Sequence, residues 1–412
     1  MPDRDAFEEF LGNAAENLKE TVKGLRRRLN DLFDEGFKPD EHITFYPSIG
    51  IRPETGDWKM EFRGRVYERG SLPLPTQVRA IAMALVPDMD ALLDKIDDKT
   101  GLAIFKDRLT DFVLDGERDK VPTVEIGAGD IQSGLSDGDG FFGLGPSRFP
   151  LSVGGLSLKA ADNPWIRYRS TNEGNLSFNG RSLLPERHSV IVVSDIDDTI
   201  KESNVPDKVE LTLNTLFRPF KSTPGMAKIY QEWHQKQARF IYLSNSPYQL
   251  FRPLEQFLHG PAAGYPDGAY YMRQITRTEI RQEIANLVRL PDTKDNRKKH
   301  NLIPILNAFP ECSFVLVGDS TESDAAIYVD LYEGTNFPQE FSSIQKPFKD
   351  RIKRIYIRDV KNSKLREDAQ KQLDRIRNVE IARFFDAQVP DIIRDKTAAV
   401  FQESALRRGA SA

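Results

Sequence analysis

The chain has 412 residues, too many for one ordinary hydrophobic core, so two domains with helical trimming are expected. Lys and Arg number 58 against 62 Asp and Glu, a net charge of −4, and no basic run exceeds Arg26-Arg27-Arg28. This balance argues against nucleic acid as a partner. The acidic opening from Met1 to Phe10 lacks the cationic start and apolar core of a signal peptide, and no apolar run approaches a membrane span. The expected location is the cytoplasm, at most peripheral to a membrane.

In chain order, residues 1–36 form the first unit. Phe7, Leu11, Ala14, Leu18, Val22, Leu25, Leu29 and Leu32 recur at steps of three and four, the mark of an amphipathic helix. Its mixed-charge opposite face favours packing on the body of the protein, a second copy or a partner protein over a membrane surface. Residues 37–187 read as a β-rich accessory domain. Strand-like runs at 43–46, 58–62, 149–153, 165–168 and 175–178 alternate with Pro and Gly, a helical stretch runs from about 76 to 115, and the Gly/Asp-rich segment 127–145 reads as a loop. That loop resembles nucleotide and calcium motifs only superficially. Gln132 stands where a dinucleotide fingerprint needs a third Gly, and Arg148 where an EF-hand needs Glu.

From 188 onward the pattern becomes α/β. Val190-Ile191-Val192-Val193 suits a strand buried on both faces, and it leads directly into Ser194-Asp195-Ile196-Asp197-Asp198-Thr199. Three carboxylates within four positions at a buried strand end repel one another, so a positive group must lie among them. The layout recurs twice. Phe240–Leu243 leads into Ser244-Asn245-Ser246-Pro247, with Ser246 and Pro247 read as N-cap and first residue of a helix bearing Leu250, Phe251, Leu254, Phe257 and Leu258. Phe314–Val317 leads into Gly318-Asp319-Ser320-Thr321-Glu322-Ser323-Asp324 and a helical face at Ile327, Tyr328 and Leu331. Helices at Met226–Trp233 and Leu302–Leu306 and a strand at 269–272 fill the intervals. Right-handed crossovers then bring the three polar strand ends to one sheet edge, where open α/β sheets bind ligands.

These residues fit phosphoryl transfer. Asp195 is the candidate nucleophile, and Asp197, on the same side of the extended chain, the candidate acid and base. Ser244, Asn245 and the following amides would hold phosphoryl oxygens. The metal candidates are Asp195, Asp197, Asp319 and Asp324. One cysteine and five histidines without helical pairing leave oxygen as the ligand, which points to Mg²⁺. Lys298 and Lys299 are both candidates for the neutralising cation. Asp198, Glu322 and Ser323, taken singly, read as caps or turn residues, and Cys312 as packing.

The motifs Asp195-Ile196-Asp197-Asp198-Thr199, Ser244, a lysine near 298, and Gly318-Asp319 with Asp324 resemble, in order, those of the haloacid dehalogenase (HAD) superfamily. Over about 190–360, SDIDDTIKESNV, YLSNSPYQLF and LVGDSTESD are similar to the catalytic domain of the actin-patch-associated phosphatidate phosphatase family. The resemblance implies a HAD-like Rossmannoid parallel sheet over 188–360 with a minimal cap; residues 361–412 are expected to form a C-terminal helical segment. It implies Mg²⁺-dependent hydrolysis of phosphatidate to diacylglycerol at a membrane surface. It also favours Lys298 over Lys299, through its spacing to Phe309-Pro310. Tyr248 stands where the family usually shows Trp, and Thr321 where Gly is usual; both are expected to flank the phosphate. With only 201–222 and 259–297 available as inserts, the site should be open, and Leu211, Leu213, Leu216, Phe217 and Phe220 form either a flap for acyl chains or packing against the sheet. The competing readings are the same chemistry on another lipid or a phosphoprotein, and a catalytically idle membrane adaptor.

Overall fold

The computed structural model describes residues 37–51, 58–68, 95–96, 98–126, 129–144, 151–153, 164–275, 297–360, 363–378, 380–386 and 391–410. The amphipathic pattern of residues 1–36 lies outside them.

The first part of the chain is built of short strands, antiparallel except where Ser48–Ile51 pairs in parallel with Ser177–Leu183. The strands are β1 (Glu41–Tyr46), β2 (Ser48–Ile51), β3 (Trp58–Met60) and β4 (Arg63–Glu68), then helix α1 (Asp98–Val113). After it come β5 (Asp115–Gly116), β6 (Thr123–Ile126), β7 (Gly129–Gln132), β8 (Phe141–Phe142), β9 (Leu151–Val153), β10 (Trp165–Thr171) and β11 (Ser177–Leu183). They form one sheet of β1, β4, β5 and β8, and a longer one in the order β7-β6-β10-β11-β2-β3-β9. The expected loop at 127–145 therefore carries β7 and β8. Its turn is closed by Asp137, whose Oδ1 accepts the amides of Asp139 and Phe141.

A six-stranded parallel sheet follows, in the order β14-β13-β12-β15-β16-β17. Its strands are β12 (Val190–Asp195), β13 (Arg239–Pro247), β14 (Gly268–Arg273), β15 (Ser313–Asp319), β16 (Ile352–Arg358) and β17 (Ala382–Phe385). The helices are α2 (Lys208–Thr212), α3 (Met226–Gln235), α4 (Phe251–His259), α5 (Arg297–Ala308), α6 (Asp324–Glu333), α7 (Arg366–Arg375) and α8 (Asp391–Ala410). Strand alternation divides the core. Val190 and Val192 face a cluster with α3, α4 and α8, while Ile191 and Val193 face one with α5, α6 and α7. The segment 361–412, expected to be helical, also supplies the edge strand β17. No helix among the described residues is long and apolar enough to cross a membrane.

The two parts share a core. Tyr46 lies with the α3/α4 cluster and Ile49 with the α5/α6 cluster, and the Tyr270 amide donates to Pro47 O at 2.9 Å. Arg63, fully buried, stands over the Tyr271 ring and donates to Pro47 O and the Tyr248 hydroxyl. The β-rich part thereby covers the β14 edge, which would otherwise offer unpaired backbone groups.

The insert after β12 is also buried. Leu213, Leu216 and Phe217 are core residues, Phe217 stacking on Phe105 of α1 at 4.7 Å between ring centroids. The buried Arg108 guanidinium donates to the carbonyls of Thr215 and Arg218 and lies 3.6 Å from the Phe220 ring centre. Of the two readings of this insert, packing describes Leu216 and Phe217, with the contact made to α1 as well as to the sheet. Phe105→Ala should cost about 3–5 kcal/mol of unfolding free energy, read from urea denaturation. An unchanged midpoint would mean that α1 does not clamp the insert.

Candidate active site

The site forms where β12, β13 and β15 end side by side, because β12 pairs in parallel register with both neighbours. After Asp195 the chain makes a tight turn, in which the amides of Thr199, Ile200 and Lys201 all donate to Ile196 O. Asp198 sits at φ 54°, a left-handed conformation that Asp tolerates better than most residues. Its carboxylate accepts the amides of Ser203, Asn204 and Val205 at 2.9, 2.7 and 2.6 Å. Asp198 is therefore the brace of the turn, in keeping with its reading as a turn residue.

Lys298, at the start of α5, is the cation of the carboxylate cluster. Its Nζ donates to Asp195 Oδ1 at 2.7 Å, Glu322 Oε2 at 2.7 Å and Asp324 Oδ1 at 2.5 Å. Lys299 turns away, to Asp330 Oδ2 and Asn336 O. Burial opposes the charge of Lys298, but the Asp195, Asp324 and Glu322 carboxylates outweigh it and hold the ammonium well above its ordinary pKa. Burial pushes Asp195 well above the usual carboxylate range. Lys298 pulls it back, and the Asp324, Glu322 and Asp319 carboxylates raise it further. Burial and the neighbouring Asp324, Glu322 and Asp198 carboxylates raise Asp319 in the same sense.

Asp197 faces different company. Lys201 Nζ and Ser203 Oγ both donate to its Oδ1 at 2.7 Å, while Ser244 Oγ and Ser246 Oγ donate to Oδ2 at 3.1 and 3.0 Å. Burial alone would raise its pKa, but Lys201 and the serine hydroxyls bring it down to about 2. Two neighbouring aspartates are thus driven in opposite directions, the arrangement that separates acid–base roles at a site.

Asp195, Glu322 and Asp324 each offer an oxygen within 4.8 Å of the others. Asp195 Oδ2 is buried and accepts no hydrogen bond from the described residues. A buried, all-oxygen donor set of three carboxylates fits a hard divalent cation. The expected ligand set differs from this group in three members. Asp197 commits both oxygens to Lys201 and the serines. Asp319 lies beside the group, its Oδ1 accepting the Thr321 amide at 2.5 Å and the Thr321 hydroxyl, its Oδ2 the Thr199 hydroxyl at 3.3 Å. Glu322 belongs to the group and also accepts from Asn245 Nδ2 at 3.0 Å, which ties the end of β13 to the end of β15.

Other expectations change too. Strand β13 runs on through Pro247, and a single 3₁₀ turn at Tyr248–Leu250 precedes α4, so Ser246 is a strand residue rather than an N-cap. The helix amides expected to meet phosphate after Ser246 begin only at Phe251. Tyr248 stacks on Tyr46 at 4.3 Å and accepts from Arg63, so the Tyr-for-Trp departure lies in the core between the two parts of the chain. Thr321 touches Asp319 directly. Lys201 and Ser203 were not singled out in the sequence, and Ser246 and Glu322 were read there as capping or turn residues rather than as members of the site. Of these only Ser246 had a signal, since residues i and i+2 of a strand share a face with Ser244.

Residues 190–359 match the family model described as phosphatidate phosphatase APP1, catalytic domain. The chain is 30% identical over 161 residues to phosphatidate phosphatase APP1 of Saccharomyces cerevisiae, across 38% of this chain and 25% of that protein. It is 27% identical over 202 residues to an uncharacterized protein of Schizosaccharomyces pombe, across 47% of this chain and 29% of that protein. The chain thus aligns with less than a third of either relative's length. The matched segment runs from β12 to just past β16 and contains Asp195, Asp197, Ser244, Lys298, Asp319 and Asp324, so this part of the chain is similar to that family's catalytic domain.

Proposed function

We propose that this chain is a phosphoric monoester hydrolase of the HAD type, that its substrate is phosphatidate, and that it works through an aspartyl-phosphate on Asp195. The observation that carries the reading is the state of Asp195: one oxygen anchored on Lys298, the other buried without a hydrogen-bond donor among the described residues. A carboxylate so held is oriented for attack and only partly quenched by its neighbours.

In this reading Asp195 Oδ2 forms the bond to phosphorus as the bond to the leaving glycerol oxygen breaks, and Asp197 gives that oxygen its proton. Water then attacks the phosphorus, Asp197 takes the water's proton, and phosphate leaves with Asp195 restored. Asp197 has a low pKa in the resting site, but an arriving phosphate dianion raises its proton affinity, and Ser244 is freed from Oδ2 when it donates to the phosphate instead. Lys298 and Asn245 are the further phosphate-binding groups. A hard cation, Mg²⁺ in this reading, would be held by Asp195, Glu322 and Asp324 with Asp319 at its flank, and would offset negative charge shared between carboxylates and phosphate.

The lipid assignment rests on the named relative and on the small first insert, 201–222, which is folded onto α1 rather than raised as a large cap. In this reading the enzyme works at a membrane surface, peripheral and cytoplasmic.

The purified chain should release phosphate from phosphatidate in mixed micelles, at a rate that follows the surface concentration of lipid. Asp195→Asn should lower that rate at least about 10³-fold with folding unchanged, because the amide is a poor nucleophile. Appreciable turnover by this variant would exclude Asp195 as the nucleophile. Hydrolysis of aryl phosphate without any of phosphatidate would move the substrate to another lipid or a phosphoprotein. Chelation of divalent cations should stop turnover and Mg²⁺ should restore it. Asp324→Asn should raise the Mg²⁺ concentration needed for half-maximal rate about tenfold or more, and an unchanged requirement would locate the metal elsewhere.

A further inference from the structure

The proposed chemistry leaves Lys201 unused. It is only 1% exposed, and a buried ammonium is costly unless its partners are excellent. Its Nζ meets Asp197 Oδ1 at 2.7 Å and the Ser203 hydroxyl, and lies 5.1 Å from the Phe220 ring centre. The backbone carries it there on purpose-built geometry. The turn braced by Asp198 returns Lys201 beside Asp197, the Asp198 amide donates to Lys201 O at 2.8 Å, and Lys201 also bridges to Ser222 at the far end of the insert. An apolar side chain of similar length would fill the same space without the desolvation cost.

The division of labour on Asp197 is the informative feature. Oδ1 is held by Lys201 and Ser203, both from the chain segment just after the turn. Oδ2 is held by Ser244 and Ser246, both from β13, on the side where phosphate would be bound. We propose that Lys201, assisted by Ser203, is a positioning residue: it pins Asp197 Oδ1 so that Oδ2 alone is presented to the leaving oxygen and then to water. This inference rests on the acid–base role proposed for Asp197. It does not make Lys201 a proton donor, since the ammonium need never lose its proton.

The test uses the full chain with Mg²⁺ and a series of aryl and alkyl phosphates of increasing leaving-group pKa. Lys201→Met should lose about 10²-fold in kcat on the poorest leaving groups and less than about tenfold on the best, with KM little changed, because leaving-group protonation matters only when the leaving group is poor. Asp197→Asn should show the same dependence, and Lys201→Met combined with Asp197→Asn should be no slower than Asp197→Asn alone. Lys201→Arg should recover part of the loss. Ser203→Ala, a milder change to the same oxygen, should move the leaving-group dependence in the same direction and serves if Lys201→Met does not fold.

Equal losses on all leaving groups, or losses that multiply in the double variant, would overturn the positioning role. Leaving-group dependence in Asp197→Asn but in neither Lys201→Met nor Ser203→Ala would overturn this inference alone. A flat response in Asp197→Asn would overturn the acid–base reading of Asp197, and this inference with it.

Discussion

Four carboxylates, Asp195, Asp319, Glu322 and Asp324, are buried together at the end of a parallel sheet, and the ammonium of Lys298 reaches three of them. Charges removed from water at this density cannot coexist without compensation, since the effective penalty is several kcal/mol per ion. The rest of the site is arranged around that constraint. Lys298 is delivered from α5, Asn245 and the Thr321 amide and hydroxyl take up acceptor capacity, and Asp195 keeps a single oxygen without a donor among the described residues. Four carboxylates around one ammonium are suited to a divalent cation.

The second carboxylate centre is compensated separately. Asp197 has its own lysine and three serines, so its charge is stabilised while that of Asp195 is opposed. Residues two apart in sequence thereby acquire distinct proton affinities, because the turn after Asp195 brings in Lys201 and β13 brings in Ser244 and Ser246. Function and local fold meet in this turn. The left-handed conformation of Asp198 and its three accepted amides are what return the chain so sharply.

The β-rich part is structurally continuous with this machinery. It places Tyr46 and Arg63 against Tyr248, immediately downstream of Ser246, and it clamps the insert carrying Lys201 and Phe220 through α1. Displacement of that part would be felt at both ends of the Asp197 network. This physical linkage couples the described β-rich part to the Asp197 network, which its own sequence does not announce.

The sequence alone determined the α/β alternation and the approach of three polar strand ends. Periodicity and β-branched runs such as Val190–Val193 report burial on both faces, and parallel connectivity then fixes which ends meet. It singled out Asp195, Asp197, Ser244 and Asp319, because acidic and hydroxyl residues directly after buried strands are visible as local patterns. The family resemblance favoured Lys298 over Lys299 by spacing, but the two side chains, adjacent on one helix, are turned to different carboxylates, which the tertiary structure shows. That structure alone brought Glu322 into the cluster and Lys201 onto Asp197, and it turned Tyr248, Leu216 and Phe217 inward. Those outcomes depend on contacts between segments far apart in the chain and on the direction in which a side chain leaves a turn, neither of which has a period in the sequence. Charge compensation demanded a cation near Asp195; the packing of α5 against β13 and α6 set which lysine meets it.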